Sequence, residues 1–319
     1  MEVWIGVDVG GTNTVCGAVD ETGRILSKLS APTEKGGGLT ALFDQIADMA
    51  HACLAEVGSP DAKIAGAGIG VPGLVDSDKG IAVISTNLGW RNAPFAAEVS
   101  RRLRVPVRID NDVRSYVYGE AFYGAGRGCR SMLGLTVGTG IAAAIVSEGR
   151  LVRGYRGMAG EIGHGPREGL SARCACGLVG CLETVASASG MVREARRELA
   201  AGRRSLLSEW YPDERKNEMT AADLSKAIDA GDELAADILR SAGTHLALAL
   251  ESAIYLLGPE VIIIGGGGAR AGERLLGPIR STLLERLLPE YAQSLSIVRA
   301  ELDDGAGIIG SAMQARNGA

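Results

Sequence analysis

Three cysteines fall within eight residues, as Cys174-x-Cys176-x4-Cys181, and His164 lies ten residues upstream of the first. Three thiolates and an imidazole suit a tetrahedral Cys3His zinc site, in which four protein ligands close off the metal and make it structural rather than catalytic. A redox dithiol needs two residues between its cysteines, and here only one intervenes. A disulfide staple is disfavoured in the reducing cytosol expected for this chain. Three packed cysteines without metal are the plain alternative. The other histidines, His51 and His245, fall on expected helices, whereas His164 sits in the glycine-rich Gly160-Glu-Ile-Gly-His-Gly165. The loop carries Glu161 on one side and Glu183 on the other. Two carboxylates on one rigid clasp can grip polyol hydroxyls through charge-assisted hydrogen bonds.

Two further stretches have the chemistry of phosphate turns. Asp8-Val-Gly-Gly-Thr12 and Gly138-Thr-Gly140 each join adjacent expected strands. Backbone N–H groups at such turns can face phosphate oxygens with no Cβ in the way. Asp8 can hold a phosphate-bound cation through water. Either turn alone reads as an ordinary glycine hairpin; the pair, with an acid ahead of the first, favours phosphate. Gly68-Ile-Gly-Val-Pro-Gly73 and Gly138-Thr-Gly-Ile-Ala-Ala143 have the form of dinucleotide fingerprints, but neither opens a helix, and no GxxxxGK[ST] occurs. Asn111-Asp112 follows a strand and begins a helix. Asp112 reads equally well as a helix N-cap and as a base accepting a hydroxyl proton.

The elements that must carry these groups alternate. Apolar strands are expected at 3–8, 63–71, 105–109, 260–264 and 296–299, and helices at 39–57, 93–103, 111–124, 187–201, 221–230, 232–257, 272–287 and 306–315. The charged stretch 202–219 reads as a loop. Helices alternating with apolar strands define an α/β protein. Residues 131–154 resemble residues 3–28, each running strand, glycine turn, strand, Gly-Arg turn, strand, at a separation of roughly 128 residues. A duplicated meander suggests two domains of like fold; chance similarity of two glycine-rich hairpins is the rival reading.

The 319 residues suffice for one large or two ordinary domains, and 46 glycines, about twice the usual rate, imply many close backbone approaches. A net charge of −5 with no basic tract argues against nucleic-acid binding. No apolar run reaches the roughly 18 residues of a membrane helix, and MEVWIGVDVGG does not read as a signal peptide. The expected location is cytoplasmic.

DVGGT at 8–12, GVPG at 70–73, NLGW at 87–90, ND at 111–112, VGTG at 137–140, GEIGH at 160–164, CxCGxxGCLE at 174–183 and IIGGG at 263–267 resemble, in order and rough spacing, the ROK family (repressor, open reading frame, kinase). The resemblance implies an actin-like/hexokinase-like (ribonuclease H-like) two-domain α/β fold, with a cleft between duplicated βββαβα domains. The expected domains are 1–116 with 306–319, and 117–305 with the zinc loop 164–181. It further implies ATP-dependent phosphorylation of a hexose at its 6-hydroxyl, with Mg2+ and structural Zn2+. Asp112 would be the base. Gly73, Asn87, Asn111, Asp112, Glu161, His164 and Glu183 would hold the sugar. Asp8, Gly10, Gly11, Thr12, Thr139 and Gly140 would surround the phosphates and Mg2+, and Gly266 and Gly267 the adenosine. His164, Cys174, Cys176 and Cys181 would bind zinc. NLGWRN and GVPGLVD look most like the glucokinase branch, so glucose is the expected substrate, with N-acetylmannosamine, N-acetylglucosamine or fructose as alternatives. A non-catalytic sugar sensor or repressor of the same family is the distant one, since DVGGT at residue 8 leaves no room for a DNA-binding segment ahead of it. The expected partners are the hexose and further copies of the chain, as a homodimer or homotetramer. Two departures stand out: Ala142 and Ala143 replace glycines usual after GTG, and Val113-Arg114 replaces the Ala-Asn often found after Asn-Asp.

Overall fold

A computed structural model describes residues 1–85 and 88–318. The chain divides into two compact units. The first comprises Met1–Arg130, Ala144–Ala159 and Glu301–Ala319; the second comprises Ser131–Ala143 and Gly160–Ala300.

The first unit opens with strands β1 (Glu2–Val9), β2 (Asn13–Val19) and β3 (Ile25–Pro32), then helix α1 (Gly38–Glu56) and β4 (Lys63–Val71). A small antiparallel sheet follows, β5 (Leu74–Asp76), β6 (Ile81–Ser85) and β7 (Trp90–Ala93), and then α2 (Phe95–Leu103), β8 (Val107–Asn111) and α3 (Asp112–Tyr123). The main sheet has the order β3-β2-β1-β4-β8. The β1–β3 meander is antiparallel, while β4 and β8 run parallel to β1. The strands pack against the apolar face of α1, which buries Leu42, Phe43, Ile46, Ala50 and Cys53 at helical spacing.

The chain continues through β9 (Met132–Val137), β10 (Ile141–Ser147) and β11 (Arg150–Val152). The cysteine-bearing loop comes next, then α4 (Glu183–Ala186), α5 (Ala188–Ala200), α6 (Leu206–Trp210), α7 (Ala221–Asp229) and α8 (Glu233–Leu257). β12 (Val261–Gly265), α9 (Glu273–Arg286), α10 (Pro289–Ser294) and β13 (Ser296–Arg299) complete the second sheet, of order β11-β10-β9-β12-β13. β9, β12 and β13 are parallel. This repeats the first sheet strand for strand, so the duplicated meander is a real duplication of topology.

The last helix, α11 (Ala306–Asn317), belongs to the first unit. It lies on β1 and β4 at backbone distance, because glycines occupy the crossing. A Cβ on Gly6 would lie 2.0 Å from the Ile308 carbonyl oxygen, and one on Gly68 would lie 1.8 Å from that of Ser311.

The sequence reading differs from the structure in several places, among them the bounds of the two units and the short helix α4. The β5–β7 sheet was not expected, because two of its strands are too short to show alternation. Within 202–219 a short helix forms: Ser205 caps it, and the buried Asp232 accepts hydrogen bonds from Ser205 Oγ and the Leu206 N–H. α10 also forms where no helix was read. The cap of α3 is Asn111 rather than Asp112. Among the described residues, no helix is long and apolar enough to cross a membrane.

Candidate functional site

In the first unit, β1 and β8 deliver acids from neighbouring positions of one sheet. Asp8 pairs across to Gly70 of β4, and Gly70 pairs to Asp110 of β8. Asp8 is thus near the end of β1, and Asp112 is the first residue of α3. Burial pushes the Asp8 carboxyl up to about 7; the nearby Asp112 charge adds to the shift and Lys28 opposes it. The turn after Asp8 is closed by a Gly10 N–H bond to the Asn13 carbonyl at 2.9 Å and a Thr33 hydroxyl bond to the Gly10 carbonyl at 2.7 Å. A Cβ on Gly10 would lie 2.7 Å from the Asn13 oxygen, whereas one on Gly11 would meet nothing within 4 Å. Gly10 is therefore required by the turn itself, and Gly11 is not.

Asn111 does the capping. Its Oδ1 accepts from the N–H groups of Val113 and Arg114 at 3.0 and 3.2 Å, two donors that the helix start leaves without partners. Its Nδ2 donates to the Gly73 carbonyl at 3.1 Å. Gly73 has φ +99°, and a Cβ there would lie 2.2 Å from the Ile84 oxygen, so the turn that presents this carbonyl needs glycine. Asn87 lies outside the described residues.

In the second unit, His164, Cys174, Cys176 and Cys181 place their ligand atoms within 4.8 Å of one another. The Cys176 and Cys181 sulfurs are 3.7 Å apart, and Cys174 Sγ is 3.8 Å from His164 Nδ1. Zinc bonds of about 2.3 Å at a tetrahedral angle require edges of roughly this length. The donor set and its spacing therefore fit zinc. All six cysteines are free thiols. Burial pushes the Cys174 thiol up to about 12, while the exposed Cys176 thiol is lowered, chiefly by a hydrogen bond from the Leu178 N–H. Metal binding displaces such protons. The other imidazole nitrogen, Nε2, is 3.9 Å from Glu161.

Glu183 stands at a junction. Its Oε2 accepts from the Ile141 N–H at 3.1 Å, and its Oε1 is 3.5 Å from Cys174 Sγ. A Cβ on Gly140 would lie 2.4 Å from Oε2. The carboxylate therefore touches both the Gly138-Thr-Gly140 turn and the thiol cluster. The start of α5 holds the same turn: the Ala188 N–H donates to the Gly138 carbonyl at 2.8 Å and Ser189 Oγ to the Thr139 carbonyl at 2.5 Å. Gly266, at φ +79°, lets the chain after β12 pass the end of β9; a Cβ there would lie 2.8 Å from the Val137 oxygen. Beside Gly267 and Gly268 is a cavity of about 320 Å³ lined by Ala188, Met191, Ala221, Ala222, Ser225, Leu239, Arg270 and Ala271. Its walls are mainly apolar, as a flat heteroaromatic ring requires.

Thus the first unit brings together Asp8, Gly10–Thr12, Gly73, Asn111 and Asp112, and the second brings together Thr139, Gly140, Glu161, His164, Glu183 and the cysteines, with Gly267 at the cavity and Gly266 at the turn that precedes it. Sequence reasoning missed Ser189, Asp110 and Arg153, and left Arg114 without a direction. Arg114 is buried, with Nε on Asp110 at 2.5 Å. No local pattern signals these contacts, which join residues far apart in the chain or turned inward by packing.

Paired sheets of this order, each with a glycine turn after its first strand, define an actin-like sugar-kinase fold. The family model described as "ROK family" matches residues 4–317. A glucokinase of Halalkalibacterium halodurans is 36% identical over 96% of this chain and 93% of its own length. A ROK family glucokinase from Streptomyces griseus, solved with glucose and AMPPNP, superposes with a TM-score of 0.82 at 32% identity, covering 99% of each chain. A ROK hexokinase from Thermus thermophilus superposes with a TM-score of 0.79 at 30% identity, covering 99% of this chain and 98% of that one. The chain belongs to the ROK family.

Proposed function

We propose that this protein is an ATP-dependent hexokinase that phosphorylates the 6-hydroxyl of glucose. The likeness to glucokinases over nearly the whole chain supports the reaction. One observation carries the catalytic assignment. Asn111 supplies the helix cap by accepting from both the Val113 and Arg114 N–H groups; Asp112 Oδ1 shares the Val113 N–H at 2.9 Å, so α3 is capped without it and a role as base is open to Asp112. Asp112 accepts the proton of the attacking hydroxyl. Phosphoryl transfer then needs mainly alignment and neutralised charge, with no covalent intermediate on the protein. The N–H groups of the Gly10–Thr12 and Thr139–Gly140 turns face the phosphate oxygens, and the apolar cavity beside Gly267 takes the adenine. Asp8 holds the nucleotide's Mg2+, which supplies charge neutralisation at the phosphates. Gly73, Asn87, Asn111, Glu161, His164 and Glu183 hold the sugar. Zinc on His164, Cys174, Cys176 and Cys181 supplies rigidity to the loop that orients His164 and Glu183.

The chain acts in the cytosol, which six free cysteines support. It self-associates as a homodimer or homotetramer. Exposed Tyr255, Leu256, Leu257, Leu284 and Leu288 on α8, α9 and the segment after it support this, and light scattering of the purified protein tests it. A coupled assay across a sugar panel, with ATP and polyphosphate as donors, tests the reaction. Glucose with ATP gives the highest kcat/KM. No turnover of any hexose by zinc-loaded protein refutes the kinase, and faster turnover of N-acetylmannosamine or fructose refutes the sugar assignment.

A further inference from the structure

Asp110 precedes the Asn111–Asp112 pair, is 2% exposed, and is fully engaged on both oxygens. Its Oδ1 accepts from Arg114 Nε at 2.5 Å and from the Asn111 N–H at 2.8 Å. Its Oδ2 accepts from Arg153 Nε at 2.9 Å and pairs with Arg153 Nη2 at 2.8 Å. Arg114 Nη1 reaches the Gly157 carbonyl at 2.9 Å, and its Nη2 is buried without a hydrogen-bond partner.

These bonds form a closed ring at the start of α3. The Asn111 side chain accepts the Arg114 N–H, the Arg114 side chain donates to Asp110, and Asp110 accepts the Asn111 N–H. The residues enclosed by that ring in the chain are Asp112 and Val113. Two guanidiniums on one carboxylate also leave one positive charge in excess beside it. Buried ion clusters are poor sources of stability, since apolar residues of similar size pack as well or better. An N-cap alone requires only Asn111. The cluster is more than the helix start needs, and what it immobilises is the backbone from Asn111 to Arg114, Asp112 included.

We propose that Arg114 and Arg153 are positioning residues for phosphoryl transfer: through Asp110 they hold the Asn111–Asp112 backbone, so that the Asp112 carboxylate stays aligned with the hydroxyl it deprotonates. This rests on Asp112 being the base. Arg114 occupies the position where the family resemblance leads one to expect Asn, so this chain has its own solution at that point.

The test is steady-state kinetics of zinc-loaded Arg114→Lys, Arg153→Ala, Arg153→Lys and Asp112→Asn, with melting temperatures measured in parallel and assays run well below each melt. Misplacing a reacting group by about 1 Å costs about 100-fold in rate. Arg153→Ala is expected to lower kcat about 10- to 100-fold, with KM for ATP unchanged and partial recovery in Arg153→Lys. Arg114→Lys, which loses the fork, is expected to follow. Wild-type kcat in both Arg153→Ala and Arg114→Lys, with only a lowered melt, overturns the proposal and makes the cluster a structural ion pair. If Arg114→Lys does not fold, the Arg153 variants decide alone, since that side chain is 29% exposed and tolerates change. An inactive Asp112→Asn beside fully active Arg153→Ala and Arg114→Lys refutes the positioning role only. A fully active Asp112→Asn refutes the base assignment and the positioning role with it.

Discussion

β1 and β9 begin equivalent meanders and end in equivalent glycine turns, yet the residue two before the first glycine is Asp8 in one and Thr136 in the other. The Thr136 hydroxyl stays within its own hairpin, on the Ala142 carbonyl at 3.4 Å. Asp8 instead faces another acid, and burial raises its pKa. The connections differ in the same sense. In the first unit a single helix, α1, joins the meander to the fourth strand. In the second, the thiol loop and helices α4 to α8 fill that place. One backbone plan therefore serves two kinds of chemistry. The first unit concentrates ionisable side chains, in Asp8, Asp110, Asp112, Arg114 and Arg153. The second offers backbone N–H groups at its glycine turn, thiols and an apolar cavity. Strand order is a property of the chain path, whereas charge is decided residue by residue.

The contrast can be broken most severely in the first unit. Asp112→Asn is expected to lower kcat about 100- to 10,000-fold, the usual worth of a general base, while calorimetry finds glucose binding little changed. A fully active variant ends the assignment. In the second unit, Cys176→Ser is expected to lose zinc and to weaken glucose binding about 10- to 100-fold, measured by metal content and titration calorimetry on the same sample. Loss of zinc with unchanged sugar kinetics separates the thiol loop from the sugar.

Asp8 sharpens the comparison through stability. Its folded-state pKa, about 7, lies above the ordinary 3.8, so folding takes up a proton between those values. The contribution of Asp8 to stability is then most favourable below about pH 4 and falls as pH rises towards 7. Asp8→Asn removes that fall. Without nucleotide or Mg2+ it is expected to be about 2 kcal/mol more stable than the parent at pH 8 and equal to it near pH 4, by urea unfolding, while losing turnover. Equal stability at pH 8 contradicts the buried-acid account. The smallest effects concern the turns. Gly140→Ala drives a Cβ against the Glu183 carboxylate and is expected to cost about 1 kcal/mol. Gly11→Ala meets nothing and is expected to change stability by less than about 0.5 kcal/mol while raising KM for ATP. An unchanged KM removes the phosphate role from the first turn.

Much of this arrangement was legible before any coordinates. The long apolar strands β1, β4 and β12 and the helices α1 and α8 have strong periodicity, so their positions followed from pattern. The three cysteines and His164 lie within 18 residues of one another, and the local loop brings them together. The short strands β5 and β7 carried too few residues for alternation to appear, and α6 hid in a charged stretch because it buries only Leu207. Asn111 and Asp112 are adjacent and both can cap, so composition could not divide the work between them. The geometry does: the Asn111 side-chain oxygen reaches two N–H groups and its amide reaches Gly73, while Asp112 Oδ1 shares the Val113 N–H.

The sequence by itself determined the residue types, the glycine turns, the thiol spacing and the repeated meander, all set by neighbours a few positions away or by a recurring pattern. Only the tertiary structure decided that Arg114 turns inward to Asp110, that Arg153 joins it from 43 residues away, that Glu183 spans the thiol cluster and the Gly140 turn, and that α11 returns to β1 and β4. Each of those depends on which chain segments pack together, and packing is settled by burial and close contact over the whole unit, which local spacing does not encode.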